Sequence, residues 1–353
     1  MEINLKKYGL TEDIENMALA YPHLILARVT EQHRSLYRIV TKKGFSQAKI
    51  AGKLQYQITN VMAYPAVGDW VMIDENSDVA IIQQVLTRKS VLTREVSGNN
   101  DGQIIASNID VVFICMSLNN NFNVHRIERY LTISWESGAL PVVVLTKSDL
   151  CDDLPEKLHQ LEDVCLGVDI IICSAKNQEG YSDLLKFTTQ NRTVAFVGSS
   201  GVGKSTLINW LAGEDKLVTN DIRTFDDKGR HTTTFRQLLL LPQGGVVIDT
   251  PGMRELQVQV GDLSKTFSDI EQLAVRCKFR NCSHQTEPGC AVRQAIAEGT
   301  LSLDRLESYF KLQREMSYDG MNSRQLENDK INRMFGSKQQ MKQVRKHIKH
   351  IRK

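Results

Sequence analysis

The nonapeptide GSSGVGKST, Gly198 to Thr206, fits the pattern G-x-x-x-x-G-K-[ST]. Its chemistry is anion cradling: glycines free the backbone to turn N–H groups inward, and a following helix adds partial positive charge at its N-terminus. The apolar run TVAFV before it and the segment STLINWLAG after it supply the strand and helix that the motif requires. Gly198, Ser199, Ser200, Gly201, Val202, Gly203, Lys204, Ser205 and Thr206 are therefore the expected phosphate contacts. Lys204 would reach the β- and γ-phosphates and Ser205 would ligate Mg²⁺.

Two further segments read the base. LTKSDL closes the apolar run PVVVL, which puts Thr146, Lys147 and Asp149 at the carboxyl end of a strand, where open α/β sheets hold ligands. A carboxylate there accepts from the ring N–H and the exocyclic amine of guanine. Adenine lacks that donor pair and would leave the acceptor unpaired. CSAK ends the next strand, so Ser174, Ala175 and Lys176 join the guanine contacts, Ala175 through its N–H to the guanine carbonyl oxygen. Lys-x-Asp alone is a common surface turn, but the three motifs together specify a guanine nucleotide.

DTPGMRE, Asp249 to Glu255, has the form of a phosphate sensor. Asp249 would hold Mg²⁺ through water and the Gly252 N–H would meet the γ-phosphate. The next residue is Met253, where many nucleotide hydrolases keep a water-orienting glutamine; a thioether can neither take a proton nor orient a water. DDKGRHTTT, Asp226 to Thr234, offers a replacement. Thr233 is expected to complete the Mg²⁺ shell, with Thr232 and Thr234 as alternatives, although β-propensity alone also explains three threonines before a strand. His231 is the expected catalytic residue, since an imidazole with its ordinary pKa near 6.5 can orient or deprotonate water near neutral pH. A water-positioning group on a loop that a partner must order implies slow hydrolysis until that partner binds.

The elements that position these groups follow from patterning. From about His23 to Glu95, short alternating β-branched and aromatic segments broken by Gly, Asn, Asp and Pro predict a small antiparallel barrel. VSGNNDGQ, Val96 to Gln103, reads as a polar linker. From Asn108, continuous apolar strands alternate with helix-length segments, the mark of a parallel sheet covered on both faces. After about Leu256 the chain reads as helical. The expected units are thus residues 1–95, 103–255 and 256–353, in a multidomain α/β protein whose 353 residues suit two or three cores. The opening residues carry acids and no apolar core, so no signal peptide is expected, and no run reaches the length of a membrane span.

CKFRNCSHQTEPGC places Cys277, Cys282, His284 and Cys290 in one short segment. Three thiolates and an imidazole suit a closed, tetrahedral, structural Zn²⁺ site better than a redox pair, since no C-x-x-C occurs. Cys115, Cys151, Cys165 and Cys173 lie in or beside apolar stretches and read as packing residues, consistent with a reduced, cytoplasmic chain. The net charge of +3 says little, but its distribution says more: no acid follows Asp329, while Lys and Arg recur to the end. That basic tail suits RNA phosphates and also suits a merely solvated terminus. In the barrel, Tyr37, Phe45, Tyr56 and Tyr64 with nearby lysines either stack bases or fill the fold, and periodicity leaves both open.

The base-reading motifs here precede the phosphate loop, whereas in Ras-like translation-factor GTPases, which these residues resemble, they follow it. The order is that of a circularly permuted chain. GRHTTT, the rotated order, the leading OB-fold-like barrel and the cysteine cluster together resemble the ribosome-small-subunit-dependent GTPase A family over all but the first twenty or so residues. The resemblance implies an OB-fold barrel, a circularly permuted GTPase domain and a C-terminal helical zinc domain. It also implies binding of GTP and GDP with Mg²⁺, a catalytic histidine falling on His231, and action on the small ribosomal subunit and its rRNA as a cytoplasmic monomer. Gly201 stands where potassium-activated relatives keep an asparagine. An RNA-binding protein whose GTP site is only a sensor, with negligible turnover, is the alternative expectation.

Overall fold

A computed structural model of the chain describes residues 2–33, 35–58, 60–76, 78–96, 99–189, 191–213, 236–249, 263–317, 325, 337 and 339–341. A helix, α1 (Glu12–Ala18), leads into β1 (Ile25–His33), β2 (Leu36–Thr41), β3 (Gly44–Ile50), α2 (Gly52–Gln57), β4 (Trp70–Asp74) and β5 (Ala80–Val85). Side chains at alternate positions, Ala27 and Val29, Tyr37 and Ile39, Val71 and Ile73, and Ala80 and Ile82, point into one core, as a strand period of two requires. β1 pairs with both β2 and β4, and β3 with β5, so the five strands close on themselves. The barrel is not wholly antiparallel. β3 and β5 run parallel, with Ala48 opposite Ala80, because α2 and β4 carry the chain back before β5. This is the OB-fold arrangement.

Val96 to Gln103 is not a plain linker. β6 (Val91–Val96) and β7 (Asn99–Ser107) form an antiparallel hairpin, with Val96 opposite Asn99. Asp69, fully buried, ties this hairpin to the barrel by accepting from Ser107 Oγ at 2.5 Å, and it also accepts from Arg88 Nε at 2.7 Å, Arg88 Nη2 at 2.6 Å and the Ala66 N–H at 2.8 Å.

The second unit comprises β8 (Val111–Ser117), α3 (Val124–Ser137), β9 (Leu140–Thr146), α4 (Leu154–Glu162), β10 (Asp169–Ile172), α5 (Tyr181–Phe187), β11 (Thr193–Val197), α6 (Lys204–Ala212), β12 (Gln237–Leu240) and β13 (Val246–Asp249). The order β10-β9-β8-β11-β13 is parallel, and β12 adds antiparallel to β13. Every residue of β8 is buried. Val111, Phe113 and Cys115 face α5 and α6, while Val112, Ile114 and Met116 face α3 and the C-terminal helices α7 (Ser268–Ala274), α8 (Ala291–Ala297) and α9 (Leu303–Met316). Continuous apolar strands thus serve two layers at once. β1 of the barrel also pairs with β12, Glu31 opposite Gln237, giving one sheet of 11 strands.

The first twenty residues have a packing role that the sequence does not signal. Leu5, Tyr8, Leu10 and Ile14 are buried, and Arg28, fully buried on β1, donates to the Tyr8 carbonyl, to the Gly68 carbonyl at 3.1 Å and to Thr193 Oγ1 at 2.9 Å. Burial lowers its pKa to about 10, opposed by Asp110 and Asp69, so it stays cationic near neutral pH. One guanidinium therefore joins the N-terminus, the barrel and the first residue of β11.

Candidate nucleotide site and metal centre

The sequence builds the phosphate loop between β11 and α6. Gly198 has φ of +142°, and a Cβ there would lie 2.4 Å from the Cys115 carbonyl oxygen, so the loop can leave the sheet only over a glycine. Gly201 and Gly203 also have positive φ, and the Gly203 carbonyl accepts the first α6 bond, from Leu207 N–H at 3.0 Å. Lys204 Nζ donates to the carbonyls of Gly198 and Ser199 at 2.7 Å each, which holds the ammonium inside the loop. Ser205 and Thr206 follow in the first turn of α6.

The guanine motifs come to the same end of the sheet. Thr146, the last residue of β9, is 3% exposed and donates through Oγ1 to the Val202 carbonyl at 2.6 Å, which ties the base-reading strand to the phosphate loop. Lys147 adopts left-handed backbone with φ of +58°, turning the chain so that Asp149 meets the next motif. Ser174 Oγ donates to Asp149 Oδ1 at 2.6 Å, and Ser148 N–H donates to the Cys173 carbonyl at 3.2 Å. Ala175 and Lys176 follow Ser174 in the same turn. Asp249, largely buried, ends β13, which runs parallel to β11 with Ile248 opposite Ala195, so the ends of the two strands lie side by side where the loop begins.

His231, Thr232, Thr233, Thr234, Gly252 and Met253 lie outside the described residues, as does nearly all of the basic tail. Two residues not selected by motif, Asn121 and Arg126, bond the phosphate loop at Ser199 Oγ, each at 3.1 Å. Their only sequence signal is the run NNNFN before α3.

Cys277, Cys282, His284 and Cys290 converge, with their ligand atoms all within 4.8 Å of one another. His284 Nδ1 stands 3.6 Å from Cys277 Sγ and 3.4 Å from Cys290 Sγ, and the two sulfurs are 3.9 Å apart. Zinc bonds of about 2.0–2.3 Å give tetrahedral edges of roughly 3.4–3.8 Å, so the donor set fits one zinc-sized ion with no open position. Glu287 fixes the connecting loop by accepting from the N–H groups of Ser283 at 2.8 Å and of Gln285 and Thr286 at 3.1 Å. Hydrogen bonds from Ser283 and from backbone N–H groups pull its carboxyl down to about 2. In contrast, burial pushes the thiols of Cys165 and Cys173 up to about 12, as expected of packing residues.

The C-terminal helices are clamped to α3. Arg305, 4% exposed, donates to Glu128 Oε1 at 2.7 Å, to Asp269 Oδ2 at 2.9 Å and to the Thr266 carbonyl at 2.6 Å; Glu128 is 1% exposed and also accepts from Ser308 Oγ. Burial alone would lower the Arg305 pKa, but its bonds to Asp269 and Glu128 raise it. Arg129 Nη2 adds a bond to Glu315 at 2.6 Å.

In the barrel, Tyr37 is core at 2% exposure, whereas Tyr56 is 92% and Phe45 49% exposed. Filling and surface display are thus divided among these aromatics. Among the described residues no helix is long and apolar enough to cross a membrane.

A parallel sheet whose base-reading strands precede its phosphate-loop strand, preceded by an OB barrel and followed by a Cys3His module, defines a circularly permuted GTPase. The model of the family described as RsgA GTPase matches residues 85–259. The chain is 56% identical over 346 residues to "Small ribosomal subunit biogenesis GTPase RsgA 2" of Lactiplantibacillus plantarum, covering 98% of each chain. It is 46% identical over 300 residues to "Small ribosomal subunit biogenesis GTPase RsgA 1" of Oceanobacillus iheyensis, covering 83% of this chain and 86% of that one. Similar solved structures are YjeQ from Thermotoga maritima, with 26% identity and a TM-score of 0.62 over 83% of this chain and 98% of that one, and YloQ, described as a circularly permuted GTPase, with 26% identity and a TM-score of 0.60 over 84% and 96%. This chain belongs to the RsgA GTPase family.

Proposed function

We propose that this protein is a GTP hydrolase of small ribosomal subunit biogenesis, docking on the immature particle with GTP bound and leaving after hydrolysis. The observation that carries the reading is the junction of Thr146 with Val202, which joins the guanine and phosphate motifs, in a chain that matches a relative named as a small-subunit biogenesis GTPase over 98% of each length.

In this reading Asp149 accepts from guanine, with Thr146, Lys147, Ser174, Ala175 and Lys176 framing the base. Gly198 to Thr206 and Gly252 hold the phosphates. Ser205, Thr233 and Asp249 hold Mg²⁺, directly or through water, and the ion neutralises charge on the β- and γ-phosphates. His231 orients the attacking water in place of the absent glutamine, and turnover is slow until the particle stimulates it. Cys277, Cys282, His284 and Cys290 hold one structural Zn²⁺. The barrel, through exposed Phe45 and Tyr56, and the basic tail contact rRNA. The units are residues 1–95, 103–255 and 256–353, acting as a cytoplasmic monomer.

GTP turnover with and without purified small subunits tests this. Strong stimulation that His231→Ala abolishes is the expected result, and turnover unchanged by the particle would remove the proposed trigger.

A further inference from the structure

Ser199 and the start of α3 form a charged bracket that the phosphate-loop motif does not account for. Asn121 Nδ2 and Arg126 Nη1 each donate to Ser199 Oγ at 3.1 Å, and the same Arg126 nitrogen donates to Asn121 Oδ1 at 2.9 Å. The three side chains close a ring. Its supports are built in: Asn119 Oδ1 accepts from Ser117 Oγ at 2.9 Å and from the Asn121 N–H at 3.1 Å, fixing the turn that carries Asn121. Asn123 Oδ1 caps α3 by accepting from the Arg126 N–H at 2.9 Å, fixing the residue that carries the guanidinium.

A hydroxyl has two acceptor lone pairs and one proton. Donors from Asn121 and Arg126 take both lone pairs of Ser199, which leaves its O–H to donate. A bond from a guanidinium makes that O–H a stronger donor. The Ser199 carbonyl, with that of Gly198, also holds Lys204 Nζ at 2.7 Å. The bracketed residue is therefore the one whose carbonyl helps to hold the lysine that meets the β- and γ-phosphates.

We propose that Arg126 is a positioning residue for GTP: acting through Ser199, it directs and polarises a hydroxyl toward the terminal phosphate, so that the loop holds GTP more tightly than GDP. This rests on the reading of Gly198 to Thr206 as the phosphate site. A residue that merely propped up α3 would change the affinity of both nucleotides alike. One acting on the terminal phosphate changes their ratio.

The full-length protein is titrated with the slowly hydrolysed analogue GTPγS and with GDP. Arg126→Ala and Ser199→Ala are each expected to weaken GTPγS about tenfold and GDP by no more than about twofold, the scale of one charge-assisted hydrogen bond. The double variant is expected to be no weaker than either single variant, because both remove one contact. Lys204→Ala reports on the site itself and is expected to weaken both nucleotides. If it weakens neither, the phosphate-loop reading falls and the inference with it. If it weakens both while Arg126→Ala lowers GTPγS and GDP equally, or while the two single effects simply add, only the role of Arg126 is overturned.

Discussion

Gly198 shows how little freedom a single position has here. With φ of +142° and the Cys115 carbonyl 2.4 Å from where a Cβ would sit, Gly198→Ala must move either the loop or β8. The substitution is expected to abolish measurable GTP binding while leaving the fold cooperative, since the damage is confined to one crossing point; GTP titration and a thermal melt on the same sample check both halves. Normal GTP binding by the Gly198→Ala variant would mean that the loop can leave the sheet another way. Asp149 is constrained by chemistry rather than space. Its Oδ1 accepts from Ser174 Oγ at 2.6 Å, which orients the carboxylate that in the proposed site receives a pair of donors from the base. Asp149→Asn turns one acceptor into a donor, so preference should move from GTP toward xanthosine triphosphate by about two orders of magnitude or more. Unchanged selectivity in a competition assay would place the base elsewhere.

Among elements, α3 is loaded on both ends and one side. Arg305 and Glu128 are 4% and 1% exposed, and removing Arg305 takes the guanidinium from the buried Glu128 carboxylate and from Asp269 together. Arg305→Ala should therefore cost about 3–5 kcal/mol, read by denaturant melts. Pairing it with Glu128→Gln should return part of that loss, and a single variant within about 1 kcal/mol of wild type would show that the C-terminal helices do not depend on the clamp. The Cys3His module, proposed to hold zinc, should answer to metal instead. Chelation is expected to unfold the segment around Cys277–Cys290 while GTP binding persists, seen as local proteolysis with unchanged nucleotide titration. Glu287 is not the acid-sensitive part: its carboxyl is depressed to about 2, so its stabilisation is complete above the ordinary glutamate value of about 4.3 and fades only as pH falls toward 2. Metal release on acidification should thus begin well above about pH 4, by competition of protons with the metal for its four ligands, and a metal-indicator titration measures that midpoint. Release only below about pH 4 would contradict this order.

These elements also explain what could be read from the chain beforehand. The phosphate loop, TKSD and the cysteine cluster were legible because each is local, its chemistry set by residues a few positions apart. Parallel strands were legible because burial on both faces leaves a continuous apolar run. Arg126 with Ser199, and Arg305 with Glu128, were not, because their partners lie 73 and 177 positions away and nothing local marks a pair that only the fold assembles. The hairpin β6–β7 was missed for the opposite reason. Its Asn-Asn-Asp-Gly stretch at 99–102 has ordinary turn chemistry, and pairing with a neighbour, rather than propensity, makes it a strand.

At the scale of the whole molecule, the pairing of β1 with β12 has a consequence for how the protein can be cut. β12 is the outermost strand of the GTPase unit, and without the barrel its outward N–H and C=O groups would have no strand beside them. Such a strand is a template for other chains, and the barrel acts as its guard. Removing residues 1–88 would also take Arg28 from Thr193 and Asp69 from Ser107 of the hairpin. The shortened chain is expected to self-associate at micromolar concentration, visible by light scattering, rather than yield a free GTPase domain; a monodisperse product with normal GTP binding would be the contrary result. The barrel, proposed above to touch rRNA, would thus also keep copies of the chain apart.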